Sequence, residues 1–207
     1  MCIRDSAYTL AECRKLVEFL KNDPEAGGCA VMLGVPTYWR EQTRDAVSDP
    51  AFHELIGMAD VISPWTVGRY GTVPAVVKHA ATVITPDLAW CAEKKIDYLP
   101  VLFPGFSWHN MYPTAKPNSI PRLGGDFFWS QFQQCKQAGA SMLYVAMFDE
   151  VDEATAIFKC TNDVPKADGA EFISYEGLPS DYYLRLTGAG AKMLRGELPV
   201  DSAKPRP

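Results

Sequence analysis

No apolar run in the chain reaches the roughly 18–20 residues that a membrane span requires, so no stretch reads as a transmembrane helix. Positive charge is not in excess either. Twenty Lys and Arg stand against 25 Asp and Glu, a formal net charge of −5, and this balance lacks the electrostatic footprint of a nucleic-acid or anionic-membrane binder. The six cysteines (Cys2, Cys13, Cys29, Cys91, Cys135 and Cys160) are scattered, form no CxxC and have no nearby histidine. That excludes a spacing-defined zinc site and a dense disulfide framework, and leaves buried thiols. No GxGxxG or phosphate loop follows any apolar stretch, which argues against nucleotide binding. Residues 1–8 contain no apolar core or cleavage motif of a signal peptide; they read as an unstructured leader. Histidine is sparse, at three residues.

What remains is the composition of an ordinary globular protein: 207 residues, 47% hydrophobic and 22% charged, enough to bury a substantial core. Helix and strand signals alternate along it. Thr9 and Glu12 have capping-box spacing and open a helix to about Lys21. An apolar strand is predicted over Cys29–Val35, then a short helix from Asp49 and Pro50 to Ile56. A second strand follows over Asp60–Ser63, and after a long connection Thr85, Pro86 and Asp87 start a helix ending near Lys95. A third strand covers Tyr98–Phe103. Gly125 and Asp126 lead into a helix that stops at Gly139. The stretch from Ser141 begins as a fourth strand, and a fifth is expected over Glu171–Tyr175. A last helix, Asp181 to about Arg195, is interrupted by Gly188 and Gly190, and 197–207 form a tail.

This is the βα rhythm of a parallel sheet. Aromatic, basic or acidic residues follow the strands, whereas glycine and small residues follow the helices. That polarity belongs to a barrel whose βα loops build the site. A complete barrel needs eight strands and about 250 residues. The expected fold is therefore α/β: a single partial (β/α)8 TIM-type barrel of about five parallel strands over 1–207, its first strands missing.

The densest chemistry lies just after the fourth strand. Asp149, Glu150, Asp152 and Glu153 place four carboxylates in five positions, an arrangement that costs free energy unless solvent, cations or substrate compensates. Glu150 and Glu153 stand three apart. In a helical turn they share a face with Cβ atoms about 5–6 Å apart, whereas along a strand they point to opposite sides. Retaining sugar hydrolases hold two carboxyl groups roughly 5–5.5 Å apart, inverting ones roughly 6.5–9.5 Å. The competing readings are an acidic, solvated loop and a set of oxygen ligands for a divalent cation, although the alternating ligand spacing of a calcium loop is absent. Candidate substrate contacts are the residues just past the strands: Trp39 and Arg40, Trp65, Arg69 and Tyr70, then Phe106, Trp108 and His109, with Asp152 beside the glutamates. The three tryptophans occupy equivalent places in successive βα units and read as stacking platforms for sugar rings. Arg122, in the loop before the 126–138 helix, reads as solvated.

Together these residues carry a resemblance. FDEVDEATAIFK with the preceding YVAM strand is similar to the catalytic segment of glycoside hydrolase family 71/99-like proteins, which include the endo-α-mannosidases and endo-α-mannanases of family 99. WTVGRYG, LFPGFSWHN and IPRLGGDFFW resemble further segments of that group, and the likeness covers most of 27–196. In the endo-α-mannosidases the segment reads Glu-Trp-His-Glu-Gly-Thr. Glu150 and Glu153 occupy its glutamate positions; Val151 and Asp152 replace Trp and His, and Ala154 replaces Gly. The resemblance implies retaining hydrolysis of an α-linked glycan or polysaccharide through a 1,2-anhydro sugar. It assigns Glu153 as acid/base and Glu150 as base for the sugar 2-hydroxyl, and implies no cofactor and no metal. It also implies a monomer in the periplasm or secreted. A non-catalytic carbohydrate-binding barrel and a metal-dependent barrel enzyme are the alternatives.

Overall fold

A computed structural model describes residues 8–206; the leader expected over residues 1–8 lies almost wholly outside the described residues. Helix α1 spans Leu10–Asn22 and begins with the expected capping box. The Thr9 Oγ1 accepts from the Glu12 amide (3.2 Å), and Glu12 Oε2 accepts from the Thr9 amide (2.7 Å). Strand β1 (Met32–Pro36) leads to α2 (Pro50–Ile56), which the Asp49 carboxylate caps by accepting from the Ala51 amide at 2.9 Å. Proline at the first helical position costs nothing there, because that N–H has no helical partner.

Strand β2 (Val61–Trp65) pairs in parallel with β1, from Met32 opposite Val61 to Pro36 opposite Trp65. The connection that the sequence left unassigned up to Thr85 is largely helical. Helix α3 (Val73–His79) runs through a π turn, Ala80–Ile84, into α4 (Thr85–Lys94). Pro86 cannot donate to residue 82, and its ring crowds that carbonyl. The wider π turn lets the helical path pass the proline instead of ending before it.

The third predicted strand is split at Leu99–Pro100. Strand β3 (Asp97–Tyr98) pairs with β2, and β4 (Val101–Leu102) pairs with β5 (Tyr144–Val145), all in parallel. The Leu99 amide donates to Ile62 O (2.8 Å), extending the β2–β3 pairing, while β4 and β5 form a second, two-stranded sheet. Within each sheet the paired strands are parallel, sequential and joined through helices, as in a segment of a TIM-like fold and unlike the reversing order of a doubly wound sheet. The strands make no complete barrel.

Helix α5 (Asp126–Ala138) lies between β4 and β5 and ends where expected, with Gly139 in the left-handed region at φ 96°. Helix α6 (Tyr182–Leu194) runs unbroken through Gly188 and Gly190. The second of these is a contact position: a Cβ there would meet the Phe132 ring at 2.4 Å, so glycine lets α6 lie against α5. The fifth predicted strand, Glu171–Tyr175, is not formed; those residues are irregular and Tyr175 is buried by its own ring packing. The main core gathers Val35, Ile62, Tyr98 and Leu102 from the strands with Phe52, Cys91, Phe132 and Leu186 from the helices. No helix among the described residues is long and apolar enough to cross a membrane.

Candidate active site

The loops that leave the C-terminal ends of the strands are tied to one another. After β1, the Thr37 hydroxyl donates to Trp65 O (2.5 Å), and Asp45 pairs with Arg69 of the next loop at 2.8 Å. After β2, Thr66 donates to Val101 O (2.8 Å), and Gly68 lies so close to Trp108 that an added Cβ would be 3.2 Å from its ring. After β4, the Ser107 amide donates to Glu153 O (2.8 Å) and Asn110 Nδ2 donates to Asp152 O (2.9 Å). These bonds carry the face continuously from Arg69 through Trp108 to the acids.

The acids sit on an irregular loop and hydrogen-bonded turn, 151–154, a few residues past β5. The Glu150 carbonyl accepts from the amides of Thr155 (3.1 Å) and Ala156 (2.9 Å), and Ala154 N donates to Val151 O (3.2 Å). Ala154 adopts a left-handed conformation (φ 59°) to close the turn, in the place where the resemblance has glycine. Glu150 and Glu153 are half-buried, while Asp149 and Asp152 are exposed. Both glutamates hold their protons above the ordinary carboxyl range. For Glu150 the cause is first Asp152, whose carboxyl shares a hydrogen with it, then burial and the nearby negative charges, Glu153 among them. For Glu153 burial comes first and the Asp152 charge second. Unlike charges would lower these values; like charges and lost hydration raise them.

Of the expected substrate contacts, Trp65 and Trp108 keep exposed surface on this face, at 44% and 38%. Arg69 is partly exposed beside Asp45. Trp39 is not a platform: it is fully buried, its Nε1 donates to Asp87 (3.1 Å), and its ring meets Trp90 edge-on. Arg40 is held in the same cluster by Asp87 and Glu41. Burial pushes the Asp87 carboxyl up to about 7, against the opposing pull of Arg40. Phe106 is buried and supports the Trp108 ring from the side. Tyr70 packs on His79 and Phe103 and donates to Gln131 (3.1 Å). His109 lies 2.9 Å from Ala115 O through Nδ1 and lines a separate hollow with residues 164–172. Asp152 stays on the acid turn as expected.

Three positions carry more than the sequence suggested. Ser107 through its amide and Asn110 through its side-chain Nδ2 fasten carbonyls of the acid turn, which no sequence pattern announces. Arg122 is not solvated: it is 1% exposed, and its Nη2 donates to Ala154 O (2.9 Å) and Ala156 O (2.7 Å), closing the far side of the turn. Its place between Pro121 and a Gly-Gly pair was the available signal. No three His, Cys, Asp or Glu side chains among the described residues are grouped to hold a metal ion.

No protein-family model matches the chain, and no curated protein does. Solved structures do. The fold is similar to that of the GH99 endo-α-mannosidase from Bacteroides thetaiotaomicron in complex with bis-tris-propane. The TM-score is 0.65 at 18% identity, over 90% of this chain and 54% of that one. A second structure of the GH99 endo-α-mannosidase from Bacteroides thetaiotaomicron gives 0.61 at 16%, over 96% and 65%. The chain spans between about half and two-thirds of these proteins, and at such identities the likeness is one of fold.

Proposed function

We propose that the acid turn after β5 is the catalytic segment of a retaining glycoside hydrolase acting on an α-linked glycan or polysaccharide. The observation that carries this reading is the turn itself. Two partly exposed glutamates stand three residues apart on a turn that follows a strand's C-terminal end, with raised pKa values and a main-chain bond to the loop that carries Trp108. The solved hydrolases of similar fold support it.

In the mechanism that the resemblance implies, Glu153 is protonated when the glycan binds and gives its proton to the leaving glycosidic oxygen. Its burial favours the neutral acid at the start of the cycle. Glu150, ionised, takes the proton of the sugar 2-hydroxyl as that oxygen closes on the anomeric carbon and the glycosidic bond breaks. The product of this half is a 1,2-anhydro sugar. Glu153, now a carboxylate, then removes a proton from water as it attacks the anomeric carbon, and Glu150 returns its proton to O2. Two inversions give net retention. Asp152 keeps negative charge beside both groups and so helps one proton remain on the pair. Trp65 and Trp108 offer flat apolar surface to sugar rings.

The test is hydrolysis of α-mannan and α-glucan oligosaccharides by the chain together with any polypeptide that completes its barrel. Proton transfer by a placed side chain contributes about 10²–10⁴-fold, so Glu150→Gln and Glu153→Gln should each lower turnover by that order while the protein stays folded. Undiminished hydrolysis in either variant ends the assignment. A glycan-binding role without catalysis rests on the same exposed Trp65 and Trp108, and it gains if oligosaccharide binds but no new reducing ends form.

A further inference from the structure

Arg122 is a buried cation without a counter-ion. The guanidinium lies over the Tyr175 and Tyr183 rings, at 4.7 and 4.4 Å from their centroids, and Nη2 is occupied by the two carbonyls of the acid turn. Its Nε and Nη1 have no hydrogen-bond partner. The buried Tyr183 hydroxyl adjoins the guanidinium. Arg122 takes part in none of the ion pairs formed by the described residues. An uncompensated buried charge is expensive, and two unsatisfied donor nitrogens on it add to the cost.

Beside this group lies a cavity of about 260 Å³, close to the lower size of small-molecule sites. Arg122 lines it together with apolar side chains, among them Val151, Phe158, Val164 and Phe172. Lys159 and Cys160 complete one wall, and no Asp or Glu contributes to it. Charge and shape therefore ask for the same occupant: one negative group on an apolar body.

We propose that this cavity binds a small organic monocarboxylate, whose oxygens accept from the free N–H groups of Arg122. The apolar body rests on Val151, Phe158 and Phe172, and Lys159 supplies a second positive charge. A neutral ligand leaves the guanidinium without a counter-ion, and a fully hydrated oxyanion gains nothing from apolar walls. Because Arg122 also holds the carbonyls of Ala154 and Ala156, the occupant braces the acid turn from behind. The site stands whether or not Glu150 and Glu153 hydrolyse a glycan.

The experiment titrates the chain with benzoate and, in parallel, with its neutral analogue benzyl alcohol, by calorimetry. Alkylation of Cys160, followed by peptide mass spectrometry, reports where the ligand sits. Benzoate should bind saturably and slow alkylation of Cys160 but not of the exposed Cys29. Benzyl alcohol should bind about tenfold or more weakly, as expected on losing a hydrogen bond to a charged group. Arg122→Lys keeps the charge but not the fork and should weaken benzoate comparably. Should that variant fail to fold, Val164→Trp fills the cavity from its loop wall and should abolish benzoate binding. Equal binding of benzoate and benzyl alcohol overturns the proposal, as does equal protection of Cys29 and Cys160. Absence of saturable benzoate binding does so too, since buried water alone then satisfies the donors.

Discussion

Glu150→Gln should stabilise the folded chain at neutral and alkaline pH, even though it removes a proposed catalytic group. The bonds that shape the turn at this residue are made by its carbonyl, to the amides of Thr155 and Ala156 and to the Thr155 hydroxyl (3.3 Å), and all survive the substitution. What changes is the charge. Glu150 has a raised pKa because Asp152, burial, Glu153 and Asp149 all disfavour its ionised form. A carboxyl whose folded pKa lies above its unfolded value contributes most stability below the unfolded pKa. That contribution is lost as pH rises through the folded value. The native chain is thus penalised above that point and the glutamine variant is not. The carboxyl is only partly buried, so screening by solvent limits the gain to a few tenths of a kcal/mol and at most about 1 kcal/mol. Urea unfolding at about pH 8, above the range of the carboxyls, should show it, and the difference between the two proteins should vanish at about pH 4. Added salt should shrink it, because the repulsion is between charges near the surface. A variant less stable than the parent at about pH 8 by more than about 1 kcal/mol would mean that structural donors hold the carboxylate, and the electrostatic account of the turn would be lost.

The two glycines of α6 separate packing from propensity. Gly188→Ala meets nothing within 4 Å and should stabilise by about 0.5–1 kcal/mol. Gly190→Ala drives a Cβ into the Phe132 ring and should cost about 1–3 kcal/mol, both read by chemical denaturation. The tryptophans divide likewise. Trp39→Ala should cost about 3–5 kcal/mol of stability, whereas Trp108→Ala should change stability by about 1 kcal/mol or less and weaken oligosaccharide binding measured by titration. Hydrolysis should fall as pH rises through the raised pKa of Glu153, because the proton donor is then lost; a rate independent of pH on the alkaline side would remove Glu153 from that role.

Local signals were legible in the chain wherever a residue's own chemistry decides the backbone. The Thr9–Glu12 box, the Asp49–Pro50 start and the Gly139 stop each act within one turn, and each element they bound appears where expected. The acid cluster likewise falls on a turn that follows a strand, where the charge density and the end of the apolar run placed it. Burial was not. Trp39 and Trp65 both follow predicted strands, yet Trp39 is sealed by Asp87 and Trp90, whereas Trp65 closes β2 itself and is open. Nothing local distinguishes them, because the partner residues lie some 50 positions away.

The sequence by itself determined the parallel winding, the acid turn and its place at a strand's C-terminal end, since periodicity, turn residues and charge density are properties of adjacent positions. Tertiary structure alone decided which aromatics face solvent, that α3 continues past Pro86 through a π turn, and that residues 171–175 form no strand. It alone placed Arg122 beneath the acids without a counter-ion. Those outcomes depend on which distant groups compete for the same space and the same hydrogen bonds, and that competition exists only once the chain has closed on itself.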